Sequence, residues 1–203
     1  MEYSAWLSLA AVCVLGAVMP GPSLFLVLHH TVSGTRWNGI MAGISHGLGI
    51  GVYAVMTVVG LSMVLEQFPW VFAIVKYLGV AFLLWLAWKA LNHQPGIEEG
   101  RAIGGDIPLK ESFWSGLMIS FLNPKIAIFF IALFSQFVVA DESWKHDSIL
   151  VGTAVIIDIT WYCLIATVLS HSALLPKLRK KEPLIHKISA AALVIVAART
   201  VFL

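Results

Sequence analysis

Long apolar stretches separated by short polar intervals set the organisation of the chain. A helix needs about 20 predominantly apolar residues to cross a hydrocarbon layer roughly 30 Å thick. Six stretches approach or exceed that length, at 4–28, 39–65, 69–91, 112–139, 148–170 and 185–203. None shows the period-two alternation of a barrel strand. The pattern therefore predicts an all-α integral membrane protein with six transmembrane helices. Glu66-Gln67-Phe68-Pro69 marks a tight turn between the second and third stretches, and the longest connection contains Pro95-Gly96 and Gly104-Gly105. A single transmembrane domain over 1–203 is expected, with a half at 1–92, a cytoplasmic loop at 93–110 and a second half at 111–203.

Composition agrees with the pattern and narrows the function classes. Of 203 residues, 59% are hydrophobic and 12% charged, whereas a soluble domain carries about 25% charged residues. Too little charge is present to cover a water-exposed surface of this size. A soluble enzyme, a disordered chain and a nucleic-acid-binding protein are excluded. Cys13 and Cys163 both lie inside apolar runs and read as small buried hydrophobes. No Lys or Arg precedes the first apolar run, so that run is taken as a mature helix and not a secretory leader.

Placement of the basic residues sets an orientation. Arg36, Lys89, Arg101, Lys110 and the five Lys/Arg residues from Lys177 to Lys187 fall in or beside the odd-numbered connections. Only Lys76, Lys145 and Arg199 fall on the other side. The imbalance predicts cytoplasmic odd loops and both termini outside. The Lys177 to Lys181 cluster is also placed to meet anionic lipid head groups.

Spacing hints at an internal duplication. Gly43 and Gly152 are 109 residues apart, as are Tyr53 and Tyr162, and Pro22 and Pro124 interrupt the first and fourth spans. Three spans are an odd number, so the second half must enter the membrane upside down. An inverted repeat of three plus three helices is expected, with a binding site at the repeat interface.

The candidate chemistry sits at the interruptions. Pro20-Gly21-Pro22 precedes Ser23 late in the first span, and Asn123-Pro124-Lys125 lies in the fourth. Each proline removes a helical N–H and frees a carbonyl four residues earlier. Such backbone should face protein or a wet cavity, where carbonyls suit an ammonium group and helix-start N–H groups suit a carboxylate. A simple proline kink is the competing reading.

Lys125 and Asp158 both fall near the middle of a span. A carboxylate there costs about 2.5–3.5 kcal/mol on insertion scales. They either pair with each other or serve function, Asp158 by binding a proton or a substrate ammonium. His46 is a candidate proton relay or a hydrogen-bonding tie between helices. Gly39, Gly43, Gly47 and Gly51 make one helical stripe for close packing. His29 and His30 are expected at the mouth of the broken first helix. Trp161 and Tyr162, within a turn of Asp158, offer an aromatic face that either packs or contacts a substrate cation.

Taken in this order and spacing, Pro20-Gly21-Pro22, the glycine-striped second span, Asn123-Pro124-Lys125 and Asp158 resemble the LysE/RhtB-type amino-acid exporter family over essentially the whole chain. The last span departs from that pattern, carrying Ser189-Ala190-Ala191-Ala192 where the family usually has glycines. The resemblance implies a bacterial inner-membrane secondary transporter that exports amino acids or close derivatives, driven by protons and needing no cofactor. Substrate would contact Pro20, Gly21, Pro22, Ser23, Asn123, Pro124, Lys125, Asp158 and Tyr162, with Asp158 and His46 coupling protons. Amino acid, protons and lipids are the expected partners, with room for a homodimer and none for nucleic acid. Export of a metal cation on the same scaffold and a non-transporting membrane adaptor are the alternatives. No enzyme active-site arrangement is visible.

Overall fold

The computed structural model describes residues 2–19, 21–92, 107–138, 144–169 and 175–202. Pro20, Arg101 and most of the predicted central loop lie outside the described residues. The described elements are eight helices: α1 (Tyr3–Val18), α2 (Pro22–Ser33), α3 (Arg36–Gln67), α4 (Pro69–Leu91), α5 (Leu109–Leu122), α6 (Pro124–Phe134), α7 (Trp144–Leu169) and α8 (Leu175–Phe202). No strand occurs among the described residues.

The apolar stretches map onto these elements with two kinds of difference. The first stretch is a pair of helices, α1 and α2, bent by 56°, and the fourth is the pair α5 and α6, bent by 61°. The prolines therefore start new helices at Pro22 and Pro124 and do not kink continuous ones. Proline is well suited to the first turn of a helix, where its missing N–H would have no partner anyway. Helices α3, α4 and α7, and each bent pair taken as one unit, are long and apolar enough to cross a membrane. Helix α8 begins ten residues before the predicted sixth span. The segment ahead of Lys187 is rich in Lys and Arg and was invisible to a hydropathy reading, and the apolar part of the helix is Lys187–Ala198.

Helix α3 is the centre of the bundle, packed most extensively against α7 and α5, while α4 lies against α8 and α6. Its glycine stripe is the reason for the close approach. A Cβ at Gly43 would lie 2.8 Å from Tyr162 Cβ, one at Gly51 would lie 3.2 Å from Val155 Cγ2, and one at Gly47 would collide with Ile159 Cγ1. Gly39 likewise abuts Ala166 and Thr31. Val155, Ile159, Tyr162 and Ala166 recur every three or four residues, so one face of α7 fills one glycine groove of α3. On another side of α3, Gly49 meets Ser120, and Gly116 of α5 meets Ala42 and Ser45. Gly152, the spacing partner of Gly43, has nothing within 4 Å of a Cβ and shares no such role.

Trp6, Trp37, Trp70, Trp88, Trp114 and Trp144 are exposed near helix ends, as belt residues should be. His30 is buried, with Nδ1 3.0 Å from Ser112 Oγ, while Asn38 Nδ2 donates to the same hydroxyl at 2.9 Å. This network ties α2, α3 and α5 together at one end of the bundle.

A cavity between two broken helices

The two breaks face a common cavity of about 90 Å³. It is lined from α1 and α2 by Met19, Gly21, Pro22 and Ser23, from α3 by His46, from the α5–α6 break by Asn123 and Lys125, and from α7 by Asp158 and Tyr162. Eight residues expected at the site from sequence are thus brought together. Pro124 begins α6 at the second break, and Pro20 lies outside the described residues. Trp161 does not line it. Sequence reasoning missed the apolar walls, among them Phe129 and Phe130 of α6 and Leu86 of α4. It also missed Ser189 and Leu193 of α8 as lining residues. In an apolar span such residues carry no signal separating cavity-facing from lipid-facing positions.

Asp158 is not paired with Lys125. Its Oδ2 lies 2.8 Å from His46 Nδ1, and His46 Nε2 lies 2.9 Å from Ser23 Oγ. The histidine and the aspartate are both buried. A chain Ser23–His46–Asp158 therefore links the start of α2 to α7 through α3. The ring of Tyr162 packs edge-on to His46 with centroids 5.0 Å apart. Gly47 lets α3 and α7 come this close, because a Cβ there would strike Ile159. Lys125, which also lines the cavity, directs its Nζ toward Met19 Sδ at 3.7 Å. A thioether is a weak acceptor, so the ammonium keeps capacity for an anion.

The two breaks are finished differently. At the second, Asn123 Oδ1 accepts the Lys125 backbone N–H at 3.1 Å and caps α6. In a continuous helix that N–H would bond the carbonyl of Phe121. The Tyr53 hydroxyl replaces it there, donating to Phe121 O at 2.8 Å. At the first break no side chain caps α2. Gly21 is fully extended, a conformation open to any residue. The nearest atom to a Cβ there would be Met19 O, 4.0 Å away.

The cavity is thus lined by the hydrogen-bonded Asp158–His46 pair, by the Lys125 side chain and by residues of both helix breaks. The chain matches the family model of the LysE type translocators over residues 14–202. The chain belongs to the LysE type translocator family. Membership makes it a membrane translocator and not an enzyme. Among curated relatives, a threonine efflux protein of Escherichia coli (strain K12) is 25% identical over 181 residues, covering 86% of this chain and 84% of the relative. The threonine efflux protein of Salmonella typhi is 26% identical, covering 85% and 84%. A leucine efflux protein of Klebsiella pneumoniae subsp. pneumoniae is 29% identical over 129 residues, covering 62% of this chain and 61% of the relative. No solved structure matches this LysE-type chain to a significant degree.

Proposed function

We propose that this protein exports amino acids or close derivatives across the bacterial inner membrane by proton antiport. Family membership and the threonine and leucine efflux relatives support the substrate class. The observation that carries the mechanism is the Asp158–His46 pair facing the same cavity as Lys125. In this reading the substrate carboxylate is held by Lys125 and the uncapped start of α2, and its ammonium by Asp158. Six spans, with α8 as the sixth, both termini outside and the two halves inverted, complete the picture. The Lys-rich start of α8 then lies at the cytoplasmic head groups.

Coupling follows from the hydrogen-bond polarity of the chain Ser23–His46–Asp158. With Asp158 ionised, His46 Nδ1–H donates to Oδ2 and Nε2 accepts from the Ser23 hydroxyl. An added proton on Asp158 reverses both bonds: the carboxyl donates to Nδ1, and Nε2–H donates to Ser23 Oγ. No heavy atom needs to move. The same proton removes the negative charge that holds the substrate ammonium, so proton and substrate compete for one carboxylate. Competition of this kind yields exchange in opposite directions when access alternates.

The test uses purified protein in vesicles loaded with labelled threonine under an imposed pH gradient. Gradient-driven efflux is expected, and it should vanish in Asp158→Asn. Full proton-coupled efflux by that variant would remove Asp158 from the coupling role.

A further inference from the structure

Helix α8 places beside the cavity a serine whose hydroxyl has no partner within the protein. Ser189 is fully buried, its Oγ has no hydrogen-bond partner, and it lines the cavity together with Leu193 one turn on. A buried, unpaired hydroxyl is costly in a membrane interior, where neither water nor lipid satisfies it. Serines within helices commonly return that hydrogen bond to a carbonyl one turn back, as Thr31 does with Val27 O at 2.7 Å and Thr167 with Cys163 O at 2.7 Å. Ser189 does not, so its hydroxyl keeps an unmet hydrogen-bonding capacity beside the cavity.

Position tells which part of the occupant it meets. The charged anchors come from other helices: Asp158 from α7 and Lys125 from α6. The residues that α4 and α8 contribute to the lining, Leu86, Ser189 and Leu193, include no charged one. An α-amino acid carries three recognisable groups on its Cα. Two of them, ammonium and carboxylate, are matched by the charged anchors. The third, the side chain, is left for the α4–α8 wall.

Resting on the amino-acid export reading above, we infer that Ser189 is a specificity residue that hydrogen-bonds a polar group on the substrate side chain. The substrate class is a short amino acid bearing a hydroxyl or similar group, held against Leu86 and Leu193. A site built to bond such a group rejects the isostere that lacks it, because the buried hydroxyl is then left unpaired.

Threonine and valine are nearly isosteric and make the probe pair. Vesicles containing the purified protein are loaded with labelled threonine or labelled valine, and efflux is measured under the same pH gradient. The wild type should export threonine at least about tenfold faster than valine. In Ser189→Ala that ratio should fall toward one, with valine efflux maintained or raised. Elution as a monodisperse species in detergent checks that the variant is folded. An unchanged ratio in folded Ser189→Ala overturns the inference while leaving amino-acid export standing. Equal export of the two by the wild type overturns it even if the variant fails to fold. Export of neither by the wild type, nor of any other amino acid in a panel, overturns the export reading and this inference with it.

Discussion

His46 on α3 reaches Asp158 on α7 across a 2.8 Å contact, at the level where a glycine at position 47 allows the two helices to touch. The buried aspartate is therefore partnered by an imidazole that can give or take a proton, and not by the fixed charge of a lysine. His46→Ala should reduce pH-gradient-driven efflux at least about tenfold, a typical minimum for loss of a positioned proton-transfer group. Efflux rate against pH in vesicles is the measurement. A wild-type profile in the variant would reduce His46 to a tie between helices.

Lys125 should be read by the carboxylate end of the substrate. The wild type is expected to bind threonine more tightly than threonine amide, which lacks the negative charge. In Lys125→Met that discrimination should disappear, with threonine affinity falling about tenfold or more and the amide little affected. Inhibition of labelled threonine efflux by each compound gives the comparison. Equal loss for both compounds would place Lys125 in general packing.

The glycine stripe makes a matched pair of predictions. Gly47→Ala should destabilise the bundle by about 1–3 kcal/mol, since the added methyl strikes Ile159 across the α3–α7 contact. Gly60→Ala, with nothing within 4 Å of the new Cβ, should leave stability unchanged or slightly raised. Thermal unfolding in detergent separates them. Equal shifts for the two variants would contradict the packing.

Tyr53→Phe removes the donor that satisfies the Phe121 carbonyl at the second break. A loss of about 1 kcal/mol is expected, in line with hydrogen bonds measured inside membrane proteins. Tyr77→Phe, at an exposed position, is the control and should leave the unfolding temperature unchanged. If the two variants unfold alike, the Phe121 carbonyl draws no support from Tyr53.

The apolar runs, the breaks and the cavity's charged residues were legible in the sequence because each is a departure from uniform lipid-compatible composition. Pro22, Lys125 and Asp158 stand out against such a background without any knowledge of contacts. Pairing was not legible. Lys125 and Asp158 are opposite charges and invite each other on paper, yet His46 lies nearer because α3 is drawn against α7 by Gly43 and Gly47. Tyr53 and Ser189 escaped for a related reason. A tyrosine that donates to a broken helix and a serine that donates to nothing look the same in one dimension. The start of α8 was hidden because Lys and Arg form helices readily while reading as loop on a hydropathy scale.

The unequal finish of the two breaks has an energetic consequence for loading. Asn123 satisfies the first turn of α6 whether or not the cavity is filled, so occupancy changes little there. The first turn of α2 has no side chain to play that part, so under the proposed binding mode its N–H groups would gain a partner when the substrate carboxylate arrives. Binding free energy that differs between empty and filled states is what can shift a conformational equilibrium. Under that binding mode α6 would act as a fixed reference, while α2 would be the element whose energy reports the cargo. A spectroscopic label near Val32 should then respond to substrate more than one near Ile131, although both side chains are exposed.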